Sequence, residues 1–166
     1  MSAFIENFIV ARLNGVIPPE AIIFIISLLP VLELRGAIPF GVALGLSPWQ
    51  ALFASVIGNL IPVPFIILFA RKVFSWLRSR SVWLDRIVGR LEARAEGKWE
   101  KVRRYENLGL LVLVAIPLPG TGAWTGALIA AIMNMRLRRA LWPIVLGVII
   151  AGLLMMAITH GFTAVF

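Results

Sequence analysis

Glu33 and Arg35 sit two residues apart in Leu29-Pro30-Val31-Leu32-Glu33-Leu34-Arg35-Gly36-Ala37-Ile38-Pro39-Phe40-Gly41, an otherwise apolar run that also holds two prolines. A charged side chain at bilayer depth costs roughly 2.5–3.5 kcal/mol even on lenient insertion scales, so it persists only where protein or trapped water receives it. A carboxylate there can serve as a proton-exchange site, because its neutral form tolerates apolar surroundings. The neighbouring guanidinium can neutralise it or hold an anionic headgroup through its fork of donors. The plainer alternative is an ion pair that pins a turn.

A second constellation is Pro117-Leu118-Pro119-Gly120-Thr121-Gly122-Ala123-Trp124-Thr125. Gly120, Thr121, Gly122 and Thr125 can offer backbone N–H groups and hydroxyls to an anion, or can simply let helices pack closely. Pro30, Pro39, Pro117 and Pro119 read as turn makers, and the carbonyls they release can coordinate an ion. Asn59 either lines a pathway or makes an interhelical hydrogen bond. His160 is the only histidine and reads as an interfacial residue, since a lone histidine is poor evidence for a metal or for catalysis.

The elements that must position these groups are membrane elements. Hydrophobic residues make up 60% of the 166 and charged residues 14%, with a mean hydropathy of +0.94. A soluble domain uses about half apolar residues and a quarter charged ones, so the chain reads as one integral membrane domain. Its apolar patch near the N-terminus is interrupted by Glu6 and Asn7, with no small-residue cleavage site after it, so targeting is expected from the membrane segments. Zero cysteines exclude disulfides, thiolate metal sites and thiol catalysis. The chain has no Gly-x-Ser-x-Gly, no paired aspartates and no His-Glu-x-x-His, so it does not read as an enzyme, and no cofactor is implied.

Along the chain, residues 1–19 read as an interfacial amphipathic helix, too short for the roughly 20 apolar residues a span requires. Block 21–46 is broken by the Glu33/Arg35 motif. Block 48–70 is long enough to cross, and Asn59, Pro62 and Pro64 in its middle predict a kink with free carbonyls. Segment 71–106 is charged, block 108–134 is broken at its Pro/Gly/Thr motif, and block 140–159 can cross again. On a helix, Ile87, Leu91, Ala95 and Trp99 form an apolar stripe in the charged segment, beside a basic stripe of Arg86, Arg90, Arg94 and Lys98. Such a cytoplasmic helix can lie on anionic lipid or pack against its own domain.

Charge bias gives the topology. Eleven Lys/Arg lie in 71–106, and Arg136, Arg138 and Arg139 precede the last block, so both clusters are expected on the cytoplasmic side. Block 108–134 must then dip in and return as a re-entrant hairpin, with its irregular backbone buried in protein or lining a water-filled cavity. The same bias accounts for the net charge of +8 without nucleic acid. An offset of 89 residues pairs Pro30 with Pro119, Ala51-Leu52 with Ala140-Leu141, Val56 with Val145, Gly58 with Gly147, Ile61 with Ile150 and, as a difference, Gly45 with Asn134. Each half then holds one re-entrant hairpin, 21–46 or 108–134, and one transmembrane helix. The expected fold class is an all-α integral membrane protein built as an inverted repeat, with added amphipathic helices. Opposed broken segments meeting near the midplane are the architecture of secondary transporters.

Leu32-Glu33-Leu34-Arg35-Gly36-Ala37-Ile38-Pro39, Gly58-Asn59 and Pro117-Leu118-Pro119-Gly120-Thr121-Gly122-Ala123-Trp124 resemble the putative small multidrug export protein family, a prokaryotic branch related to the DedA/VTT membrane proteins. The resemblance covers most of the chain and implies a multi-pass protein of the cell membrane with two opposed re-entrant hairpins. Related DedA proteins move lipid carriers such as undecaprenyl phosphate with the proton motive force, and VTT relatives scramble lipids. What this implies is a transporter or flippase for a lipid-linked or amphiphilic anion, with Glu33 as proton or ion site and Arg35, Asn59 and the second turn as substrate contacts. A passive channel or scramblase is the alternative. DedA proteins carry arginines beside the proline of their second hairpin; Val114 to Gly126 has none, so a phosphate-binding role does not transfer there. Expected partners are membrane lipids, protons and a second copy of the chain, because two spans offer little protein to shield polar turns. Cysteines introduced at Ser47 and Leu137 should label from opposite sides of the membrane. Labelling from the same side overturns the opposed-hairpin arrangement.

Overall fold

The computed structural model describes residues 17–102, 106–118 and 120–165. The expected N-terminal interfacial helix, up to residue 16, and Pro119 lie outside the described residues. Among the described residues every regular element is an α-helix. The chain divides into two compact units, one holding the described residues up to Ile61 together with those from Ile149 onward, the other Pro62–Val148.

The first unit opens with α1 (Pro19–Leu28). Pro19 has its φ preset at a position where its missing N–H loses no bond, and Glu20 sits at the positive end of the helix dipole. The turn Leu29–Leu32 then reverses the chain into α2 (Glu33–Ala43), and α3 (Pro48–Leu60) packs against both arms. Ile22, Ile23 and Ile26 of α1 form a buried core with Ala37 of α2, Leu46 and Ala51. At ten and eleven residues, the arms α1 and α2 rise about 15 Å each, roughly half of a bilayer's hydrocarbon core.

The second unit also holds a pair of short helices followed by a long one. It contains α4 (Pro62–Arg80), α5 (Val82–Val102), α6 (Glu106–Ala115), α7 (Ala123–Ile132) and the first part of α8 (Leu137–Val165). α7 packs on α4, while α5 lies against α4, α6 and α7. On α5 the buried face holds Val88 and Ala95, and Leu91 of the expected stripe is exposed. Arg78 of α4 fastens the pair, bonding to Glu92 and lying 3.6 Å from Asp85.

The turns after α2 and α7 share one hydrogen-bond pattern, offset by 89 residues throughout. Leu44 N donates to Phe40 O, Gly45 N to Val42 O and Leu46 N to Gly41 O; Met133 N donates to Ile129 O, Asn134 N to Ala131 O and Met135 N to Ala130 O. Gly45 (φ +87°) and Asn134 (φ +54°) hold the left-handed position that such a helix end requires. Glycine adopts it freely, and asparagine is among the few other residues that tolerate it. The helix after each turn then runs close against the first arm of its own hairpin. A Cβ on Gly58 would fall onto Ser27 Oγ and within 2.5 Å of Phe24 O; one on Gly147 would lie 2.7 Å from Val114 Cβ and 3.0 Å from Leu111 O.

Two helices are long and apolar enough to cross a membrane, Pro48–Arg80 and Leu137–Gly161. The first combines α3 and α4, separated only at Ile61, where Pro62 and Pro64 cannot donate to the carbonyls of Gly58 and Leu60. Its 33 residues exceed the roughly 20 that a span requires, and its basic part begins at Arg71. Because the Gly58 contact includes backbone, Gly58→Ala should lower thermal stability by about 1–3 kcal/mol. Gly89→Ala, which meets open space, should be neutral or stabilising by up to about 1 kcal/mol. Equal responses in thermal unfolding would contradict the close approach at Gly58.

Candidate functional site

Glu33 is the first residue of α2 and only 5% exposed. Its φ is +47°, a left-handed conformation that costs a side-chain-bearing residue of order 1–3 kcal/mol and persists only where the surroundings hold it. Its N–H donates to Leu29 O at 3.0 Å, closing the turn that carries Pro30. Arg35, half-buried two residues further on, lies within electrostatic reach of the Glu33 carboxylate. Pro39, inside α2, cannot donate to the Arg35 carbonyl, so the backbone as well as the side chain is polar there. The turn itself is apolar and projecting, with Val31 80% exposed.

Asn59 belongs to the same three-helix unit and is fully buried, yet neither its amide oxygen nor its amide nitrogen has a hydrogen-bond partner. Ser55, one helical turn earlier on α3, is also fully buried with an unpartnered hydroxyl. Ser27 completes a polar strip; it is fully buried, but its hydroxyl donates to Phe24 O at 2.8 Å. The close approach of Gly58 to Ser27 sets the C-terminal end of α3 beside that of α1, the end from which the turn leads to Glu33. Glu33, Arg35 and Asn59 therefore belong to one end of one packed unit. Ser55 and Ser27 were not singled out from the sequence, although Ser55-x-x-x-Asn59 is an i, i+4 polar pair in an apolar block and carries the signal.

The second turn belongs to the other unit. The Thr121 hydroxyl lies 2.9 Å from Ile116 O and 2.7 Å from Leu118 O, and the Thr125 hydroxyl donates to Gly120 O at 3.1 Å. These hydroxyls are thus directed at the turn's own carbonyls. Gly120 (φ +76°) and Gly122 (φ +126°) supply the left-handed backbone, Gly122 precedes α7, and Pro117 begins the turn. Lys98 of α5 donates to the Gly120 carbonyl as well. That contact ties the charged helix to the turn; the sequence marks Lys98 only as one member of a basic stripe. His160 is exposed, and no cluster of three or more metal-ligating side chains occurs among the described residues.

A family model described as putative small multi-drug export protein matches residues 33–154, a range that takes in Glu33, Arg35, Asn59 and the whole second turn. No curated protein and no solved structure matches the chain.

An unsatisfied buried amide costs about 1–3 kcal/mol, and an apolar residue of similar shape removes that cost. Asn59→Leu should therefore raise thermal stability. A variant that loses stability would mean that Asn59 has structural partners, and this reading of the residue would fail.

Proposed function

The chain belongs to the putative small multi-drug export protein family, and we propose that it is a membrane transporter or flippase for a lipid-linked or otherwise amphiphilic anion, coupled to protons through Glu33. The observation that carries this reading is the burial of Glu33 in a left-handed backbone conformation at the turn of a short apolar hairpin. A buried carboxylate in a strained turn is costly to fold around, and such groups collect where a protein uses them. Arg35 supplies the charge that meets the anion, and the buried amide of Asn59 with Ser55 offers polar contacts in an otherwise apolar interior.

Several features support the architecture this function needs. Each hairpin arm is too short to cross alone, both hairpins end in the same hydrogen-bonded turn, and each is followed by a helix long enough to cross. Re-entrant hairpins in an inverted repeat fit those lengths and put irregular backbone where protein shields it. The family's export label fits a transporter in general. The finer reading, a DedA-like lipid flippase in a prokaryotic cell membrane, follows the sequence resemblance. Transport rather than catalysis, and assembly into a homo-oligomer that covers the exposed apolar turns, belong to the same proposal.

The test is reconstitution of Glu33→Gln beside the unaltered protein in liposomes carrying a fluorescent short-chain phosphatidylglycerol, with an imposed pH gradient. The gradient should speed translocation by the unaltered protein several-fold, and the glutamine variant should translocate at least tenfold more slowly with no response to the gradient. Translocation that survives Glu33→Gln and ignores the gradient would make the protein a passive channel or scramblase.

A further inference from the structure

The second unit contains a polar cavity of about 560 Å³. Trp99 near the end of α5, Asn107 at the start of α6, and Asn134, Met135, Arg136 and Arg139 from the turn into α8 line it. Its volume falls within the range of small-ligand sites, roughly 300–1,000 Å³. Among the described residues, two guanidinium groups and no carboxylate contribute to the lining. Glu96 and Glu100 of α5 border an adjoining hollow of about 280 Å³, which shares Trp99 with the first and is also lined by Met133. Among the described residues, neither the Arg136 nor the Arg139 side chain makes a hydrogen bond or ion pair. Arg71 of α4 holds the Asn134 amide oxygen at 2.7 Å, which fixes that side of the cavity and brings a third cation beside it.

The fold itself does not require these arginines. Offset by 89 residues, the first unit builds the same turn with Gly45, Leu46, Ser47 and Gln50 where the second has Asn134, Met135, Arg136 and Arg139. There Ser47 and Gln50 satisfy each other, Ser47 N donating to Gln50 Oε1 at 3.0 Å and Gln50 N to Ser47 Oγ at 3.3 Å. Topology requires positive charge on this side of the membrane, but it does not require two guanidinium groups to share one cavity. A guanidinium presents a planar fork of donors that matches phosphate oxygens bidentately. Asn107 and Asn134 add neutral amides, and Trp99 is the amphipathic ring type that collects at headgroup level.

We propose that this cavity binds a phosphate group with net negative charge, of the kind an anionic phospholipid presents at the cytoplasmic leaflet. Basic pockets between membrane helices on that side suit such headgroups. The lining does not include Glu33, and the proposal stands whether or not Glu33 carries a proton.

The experiment uses the full-length protein in nanodiscs of phosphatidylcholine with increasing phosphatidylglycerol, with bound lipid counted by native mass spectrometry. R136Q/R139Q should lower phosphatidylglycerol retention at least tenfold. R90Q/R94Q removes the same charge from exposed positions of α5 outside the cavity, and should change retention less than twofold. R136K/R139K preserves charge and topology but loses the bidentate fork, so it should lower retention several-fold even if the glutamine pair inserts poorly. Glycerol phosphate added to the lipid-bound protein separates the sources: displacement means the phosphate alone suffices, and no displacement means the lipid is needed. Equal losses in R136Q/R139Q and R90Q/R94Q, or full retention in R136K/R139K, overturn the proposal.

Discussion

Every polar group that leaves water for hydrocarbon must find its partner inside the protein, and an unsatisfied one costs several kcal/mol. That constraint orders most of what is seen here. Thr121 and Thr125 turn their hydroxyls onto the carbonyls of the second turn, and Lys98 adds its ammonium to the same Gly120 oxygen. Ser47 and Gln50 cap each other at the start of α3. Where a chain so consistently closes its own polar groups, the few buried ones left open stand out. Asn59 and Ser55 are such groups, one helical turn apart on α3, in the same unit as the buried Glu33.

Close packing is the second half of the same economy. Gly58 and Gly147 let each long helix approach the first arm of its own hairpin more closely than any side chain would allow. Without a hydrophobic force between helices in lipid, such contacts and the backbone hydrogen bonds of the turns are what remain to hold a hairpin in place. The recurrence of one turn, with Gly45 and Asn134 in the same left-handed role, shows how two different residues answer one backbone demand. It also isolates what differs between the halves. The first half puts neutral capping residues after its turn, and the second puts arginines around a cavity.

Prolines divide the labour with these contacts. Pro62 and Pro64 interrupt the hydrogen bonding between α3 and α4 directly after Asn59, and Pro39 does the same to the Arg35 carbonyl. Polar backbone thus falls close in sequence to the polar side chains of Arg35 and Asn59. On α5 the same need for partners takes an aqueous form, with Arg78 gathering Asp85 and Glu92 so that the helix lies against its own unit.

The sequence by itself determined the all-helical membrane character, the two helices able to cross and the special standing of Glu33 and Arg35, because hydropathy and charge are local properties of the chain. The turn after each hairpin was legible too, since an offset of 89 aligns Gly45 with Asn134 and Gly58 with Gly147. What only the tertiary structure decided concerns partners. Burial of Glu33 in a left-handed turn, the missing partners of Asn59 and Ser55, and the engagement of Thr121, Thr125 and Lys98 with backbone carbonyls depend on which neighbours arrive in space. The buried face of α5 passes through Val88 rather than Leu91 for the same reason: the helix meets α4, α6 and α7 from one side, and helical periodicity alone leaves that side open. The Arg136 and Arg139 cavity is likewise a product of packing, because Trp99 and Asn107 come from elements far along the chain.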